Sequence, residues 1–119
     1  MKVRFFELAK KVANLSNHHT HQLGSVLVRK NRVASVGTNS LKTNPNSPHA
    51  YKSTHAEFSA ILSSGKHDLS GYELYVYRER KDGQLGMSEP CSSCMTLIKK
   101  VNIEKIHYST DDGYKTEIL

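Results

Sequence analysis

The chain's only two cysteines stand three positions apart behind a proline, in Pro90-Cys91-Ser92-Ser93-Cys94, and that pair limits the folds open to it. Small secreted domains held by disulfides usually carry four, six or eight cysteines. A lone C-x-x-C instead means redox chemistry or metal binding. The core is thin enough to need such help. Leu, Ile, Val and Phe supply 27 of the 119 residues, about 23%, little above the ~20% below which chains tend to stay disordered. One domain over residues 1–119 is expected, stapled by a metal or by a partner chain. No apolar run approaches the ~18 residues of a membrane-spanning helix. The start, Met1 to Glu7, is basic, but Glu7, Lys10 and Lys11 interrupt any signal-peptide core, so a cytoplasmic location is expected.

Seventeen Lys and Arg against eleven Asp and Glu give a formal charge of +6. That sign fits either a solvated basic surface or anionic partners such as nucleotides, phosphorylated metabolites or nucleic acid. The cations are spread over Lys10-Lys11, Arg29 to Arg32, Arg78 to Lys81 and Lys99-Lys100. None of these runs is long enough to read as a nucleic-acid-binding tail.

Residues 2–15 repeat apolar side chains at near-helical spacing (Val3, Phe6, Leu8, Val12, Ala13, Leu15), which predicts an amphipathic first helix. Two β-rich runs, Leu23 to Arg29 and Arg32 to Gly37, flank Lys30-Asn31 and read as a hairpin. Thr38 to Ser53, with Pro45 and Pro48, reads as a loop. Thr54 with Glu57 has capping-box spacing, so a second helix is expected from about His55 to Ser64, ending at Gly65. Tyr72 to Glu79 reads as a strand, 80–89 as a polar loop, and Pro90 as the opening of a third helix. Ile103 to Ser109 reads as a strand, and 110–119 has no clear assignment. The order α-β-β-α-β-α-β predicts an α/β fold: a mixed central sheet of about five strands flanked by helices.

Two helix starts, near residues 55 and 91, hold the chemistry. Zinc favours thiolate and imidazole, and catalytic sites keep three protein ligands with a fourth position open. Cys91 and Cys94 are neighbours on one helix face, where the free N–H groups of a first turn favour thiolate. His55 can supply a third ligand, with Glu57 two residues on. Residues i and i+2 diverge in a regular helix, so His55 must lie at an irregular helix entrance. Alternatives remain: a structural zinc knuckle with another histidine as fourth ligand, a redox C-x-x-C, and a purely capping Glu57.

His55-Ala56-Glu57 followed by Pro90-Cys91-Ser92-Ser93-Cys94 fits the H-x-E…P-C-x-x-C signature of zinc nucleobase deaminases. The chain resembles the cytidine/deoxycytidylate deaminase family over nearly its whole length, including Gly37-Thr38-Asn39 after the second strand and Ala60. Within that family it looks most like the CMP/dCMP-type branch that also holds tRNA adenosine deaminases. The resemblance implies Zn2+ held by His55, Cys91 and Cys94, and a zinc-activated water attacking the amine-bearing ring carbon. It makes Glu57 the catalytic proton shuttle, and makes Asn39, Ala56 and the helix start around Cys91 substrate contacts. The expected reaction is dCMP or CMP to dUMP or UMP. Two alternatives are a deaminase of cytosine or adenine in single-stranded DNA or RNA, and a non-catalytic zinc-stabilised binding module. A pyrimidine nucleotide is the expected partner, single-stranded nucleic acid a second, and a homo-oligomer is expected.

The sequence departs from the family pattern at about ten extra residues, Arg78 to Met87, before the Pro-Cys motif. They read either as a substrate-facing flap whose Arg78, Arg80 and Lys81 meet phosphate, or as a surface hairpin. His18, His19 and His21 read as a second metal site or a solvated loop, and His49 and Tyr51 as candidates to stack on a base.

Overall fold

A computed structural model describes residues 2–16, 22–39, 55–80 and 82–119. The expectations for His18, His19, His21, His49, Tyr51, Thr54 and Lys81 lie outside these residues. Helix α1 (Val3–Ala13) is followed by strands β1 (Gln22–Arg29) and β2 (Arg32–Thr38), helix α2 (Ala56–Ser64), strands β3 (Tyr72–Glu79) and β4 (Leu85–Gly86), helix α3 (Ser92–Lys100), and strands β5 (Lys105–Thr110) and β6 (Gly113–Ile118). The sheet runs β2-β1-β3-β5-β6, with β4 added to the end of β3. Among the described residues only β3 and β5 pair in parallel, joined through α3. The mixed α/β expectation holds, with six strands where about five were read.

Two strands, β4 and β6, have no counterpart among the four runs read from the sequence, and β6 is the tail. Asp111-Asp112 turns the chain back, and β6 pairs antiparallel with β5 from Thr110–Gly113 to Lys105–Ile118. The polar 80–89 loop is also partly ordered: Arg80 N–H donates to the Gln84 carbonyl, and β4 pairs Gly86 with Arg78 and Leu85 with Glu79. The insertion is therefore a hairpin extension of β3.

Strand composition explains strand position. Buried Val26, Leu27 and Val28 of β1 and Leu74 to Tyr77 of β3 form unbroken apolar runs, as central strands covered on both faces require. β2 lies at an edge and leaves Val33 and Val36 exposed. Period-two alternation then divides two cores. Phe5, Phe6, Ala9 and Ala13 of α1 pack on Val26, Val28, Tyr75 and Tyr77. On the opposite face, Ala60 and Ile61 of α2 and Ile98 of α3 pack on Leu27, Leu74, Val76, Ile106 and Tyr108.

Glycine sets how closely the helices approach. A Cβ on Gly24 would collide with the Ala9 carbonyl oxygen and the Ala13 amide nitrogen of α1. One on Gly37 would collide with the Ala60 nitrogen and the Ala56 carbonyl oxygen of α2. Gly37 thus lets the start of α2 lie directly on β2.

Candidate active site and metal centre

The beginnings of α2 and α3 meet over the second face. His55 occupies the N-cap of α2 with extended φ −81° and ψ 149°, and Cys91 the N-cap of α3 with φ −65° and ψ 168°. Each carbonyl accepts the first helical hydrogen bond, from Ser59 N–H at 3.0 Å and Met95 N–H at 2.8 Å. Neither side chain caps its helix. This corrects the capping-box reading: the cap is His55, so Glu57 is the second helical residue, one place short of the position that pairs with a cap in a capping box. It also corrects the third helix, where Pro90 precedes the cap. The extended dihedrals at His55 break the regular helical rotation, which lets His55 and Glu57 converge despite their i, i+2 spacing.

His55 Nδ1 lies 3.7 Å from Cys91 Sγ and 3.6 Å from Cys94 Sγ. All three donor atoms fall within 4.8 Å of one another. A tetrahedral ion with Zn–S and Zn–N bonds of about 2.3 and 2.05 Å would separate such a nitrogen–sulfur pair by about 3.6 Å. The spacing and the donor chemistry both fit zinc. Burial pushes the Cys94 thiol up from its ordinary value, with Glu57 and Cys91 adding to it. Donors that oppose one another's ionisation in this way are relieved by a cation.

Glu57 is only 3% exposed. Its carboxyl contacts Cys94 and its own backbone N–H, while burial, the larger effect, raises it above the usual carboxylate range. Its Oε1 is buried with no hydrogen-bond partner among the described residues. A buried carboxylate oxygen without a partner is costly, and its place beside the three donors calls for a polar occupant.

Serines hold this arrangement, and sequence reasoning passes over them because their hydroxyls look like loop or surface chemistry. Ser25 Oγ, fully buried on β1, donates to the Ala56 carbonyl at 2.7 Å, and Ser35 Oγ donates to the Ala60 carbonyl at 2.7 Å. Ser88 Oγ accepts from Ser109 N–H at 2.8 Å and donates to the Val76 carbonyl at 2.9 Å. Ser109 Oγ accepts from Arg78 N–H at 3.0 Å and donates to the Gly86 carbonyl at 2.7 Å. This pair fixes the segment that enters Pro90-Cys91.

Asn39 is buried, and its Oδ1 accepts from Leu23 N–H at 3.0 Å. Its backbone N–H donates to the Leu23 carbonyl at 3.3 Å, and its carbonyl accepts from Ser16 Oγ at 3.1 Å. The side chain thereby extends the β1–β2 ladder. Ala56 is fully buried at the first position of α2. In the insertion, Leu85 packs with the α1 core and Gly83 to Leu85 line a cavity beside Phe6 and Tyr77. Arg78 shares the face of Leu74 and Val76 by alternation, and the stems of Arg78 and Arg80 lie against Gly86. The hairpin is therefore two-sided: its tip leans toward α1, and its arginine stems lie on the metal side.

A family model for the cytidine and deoxycytidylate deaminase zinc-binding region matches residues 1–110. An uncharacterized deaminase encoded 3′ of luxG in Aliivibrio fischeri is 31% identical over 112 residues, covering 87% of this chain and 69% of that protein. The cyanophage S-TIM5 dCMP deaminase superposes with a TM-score of 0.68 at 20% identity, over 91% of this chain and 84% of its own. A guanine deaminase from Bacillus subtilis gives 0.63 at 21% identity, over 94% and 68%. These two structures share the fold while acting on different bases, so the fold by itself selects none. With zinc-ligand geometry at His55, Cys91 and Cys94 and a family match over nearly its full length, this chain belongs to the cytidine and deoxycytidylate deaminase family of zinc-binding deaminases.

Proposed function

We propose that the chain deaminates the cytosine ring of a free nucleotide, dCMP or CMP, with water as co-substrate and ammonia as the second product. The observation that carries this reading is Glu57: a buried carboxyl beside three convergent ligand atoms, with Oε1 unsatisfied. A purely structural zinc knuckle has no use for it. Zinc, when bound by His55, Cys91 and Cys94, supplies Lewis acidity that makes water nucleophilic near neutral pH.

Glu57 does the proton work. Its Oε1 accepts a proton from the attacking water and passes it to the ring nitrogen; the carboxylate then takes the second proton from the hydroxyl now on the ring carbon and delivers it to the amine, which leaves as ammonia. Burial, which raises its affinity for protons, suits a group that must hold one between two transfers. Asn39 and Ala56 serve as substrate contacts. The Ala56 carbonyl is engaged by Ser25, so Ala56 acts through its N–H, which as the first of the helix lacks an intrahelical acceptor. Arg78 and Arg80 on the metal side of the sheet favour a substrate that carries phosphate.

The test is ultraviolet-monitored turnover of dCMP, CMP, cytidine, guanine and single-stranded oligonucleotides by the zinc-loaded protein, with Glu57→Gln as control. Conversion of dCMP or CMP is expected to fall by about 10^2–10^4 in the variant, with zinc content unchanged. Turnover of guanine or of an oligonucleotide in place of the nucleotides would replace the substrate assignment. Zinc binding with no turnover of any base would leave a binding module.

A further inference from the structure

The end of the sheet opposite Asn39 carries a cationic cluster that the deaminase chemistry does not use. Arg29, at the end of β1, is six residues beyond Leu23, about 20 Å away along the strand. The β1–β2 turn is Lys30-Asn31, with both residues at positive φ, 49° and 65°. Turns of this shape favour Asn-Gly, so a lysine in the first position is locally unfavourable. The turn also pairs Arg29 directly with Arg32, and like charges directly opposite each other destabilise a ladder. Arg29, Lys30 and Arg32 line a surface hollow of about 510 Å3.

The cluster extends beyond the hairpin. Lys66 Nζ lies 3.0 Å from the Tyr72 hydroxyl, and both Lys66 Nζ and the Arg29 guanidinium carbon lie 5.6 Å from the Tyr72 ring centroid. Lys66, foremost, holds the Tyr72 phenol below its ordinary value, with Arg29 adding to it. From α1, Arg4 Nη2 reaches the Asn31 carbonyl at 3.4 Å. No carboxylate answers these charges: the ion pairs among the described residues are Arg80 with Asp82 and His107 with Glu73. The C-terminal end of α2 accounts for attraction of Lys66, but not for Lys30 on the turn with Arg29 and Arg32 flanking it. Local rules broken together at one place, without compensation inside the fold, mark a functional surface.

We propose that this end of the molecule binds a chain of linked phosphates, through Arg29, Lys30 and Arg32 of the hairpin together with Lys66. A single-stranded nucleic-acid backbone and a free polyphosphate offer the same chemistry: successive anionic oxygens that bridge neighbouring cations. The site is separate from the metal centre and does not depend on which base is deaminated.

Fluorescence anisotropy of a labelled single-stranded oligonucleotide across a salt series tests it, with calorimetric titration of tripolyphosphate as the second arm. Lys30→Gln with Arg32→Gln is expected to make the slope of log affinity against log salt shallower by about 1.4, the loss of two phosphate contacts on a single strand. Lys66→Gln is expected to remove about half as much. Lys10→Gln with Lys11→Gln, on exposed positions of α1, changes the net charge equally and is expected to leave the slope in place. Binding of the oligonucleotide that tripolyphosphate competes away identifies the phosphate chain alone as sufficient. Binding that it does not compete away identifies the nucleic-acid backbone. Equal slope changes in the hairpin and α1 variants, or binding of neither probe, would overturn the proposal.

Discussion

On one side of the sheet a single helix, α1, is held by apolar packing, with aromatic contacts near its start and alanines beyond. Phe5 and Phe6 meet Tyr75 at 5.2 and 5.1 Å between ring centroids, and Phe6 stacks on Tyr114 at 3.9 Å. On the other side, α2 and α3 are held most specifically at their first residues, by Ser25 on the Ala56 carbonyl and by the Ser88–Ser109 pair ahead of Pro90. Apolar packing buries area without direction, so it suffices for α1, whose task is to cover the sheet. Hydrogen bonds carry direction, and they appear where His55, Glu57, Cys91 and Cys94 must be set relative to one another. The two faces thus separate what stabilises the molecule from what aims its chemistry.

Removal of one metal ligand should break that comparison most strongly. Cys94 is fully buried and touches both His55 and Glu57. Cys94→Ser is expected to abolish turnover and to remove the thermal stabilisation that zinc gives the native chain, which for a single site at a hundredfold excess over Kd is about 2.7 kcal/mol. Metal titration followed by melting temperature checks it. The apo form should keep the aromatic packing around α1, read as unchanged near-ultraviolet tyrosine dichroism. Loss of that signal with the metal would show that the two faces are not separable.

The paired glycines sharpen the comparison at lower cost. Gly24→Ala and Gly37→Ala each push a helix off the sheet through a backbone collision, and each is expected to cost about 1–3 kcal/mol by overpacking. Their catalytic effects should differ. Gly24 lies under Ala9 and Ala13 of α1, so the folded fraction of Gly24→Ala should keep its kcat. Gly37 lies under Ala56, between His55 and Glu57, so Gly37→Ala should lower kcat beyond its loss of folded protein. Urea melts and active-site-normalised rates on both variants decide it, and equal kcat losses would mean that the faces are mechanically coupled.

Much of the site is legible in the sequence because its chemistry demands rare residues at fixed spacing. His55-Ala56-Glu57 and Cys91-x-x-Cys94 identify both helix starts, and the β3 strand agrees with its Tyr- and Val-rich run from Tyr72 to Glu79. The positioning residues are not legible. Ser25 and Ser109 are common polar residues whose burial depends on partners 31 and 21 positions away. β4 has two residues, too few for any period to show. β6 alternates Tyr114, Thr116 and Ile118 against Lys115 and Glu117, but as an edge strand it stays largely exposed and shows weak contrast. The Asp111-Asp112 turn followed by Gly113 is its clearest local signal. The N-cap of α2 is legible only through chemistry, since histidine has no capping preference to announce it.

The α1 face has one polar exception, and it yields the smallest expected effect. His107 on β5 is 1% exposed and lies against Tyr75, with ring centroids 4.3 Å apart. Its Nδ1 is 2.7 Å from Thr116 Oγ1 and its Nε2 is 2.7 Å from Glu73 Oε1. Lys105 is among the cations that disfavour its protonation. Burial lowers His107 below its ordinary value of 6.5, outweighing the opposing pull of Glu73. The native state therefore refuses a proton that the unfolded chain accepts, so stability falls as pH drops below about 6.5 and levels off beneath the native value, with a slope of at most about 1.4 kcal/mol per pH unit. Metal release would add its own acid sensitivity, so urea midpoints are compared on zinc-free protein between pH 7.5 and about 5. His107→Gln keeps a hydrogen-bonding side chain but cannot titrate, and its midpoints should fall less steeply over that window than those of the native chain. Parallel pH profiles would show that His107 gains its proton equally in both states, and that half-buried Glu73 dominates its environment after all.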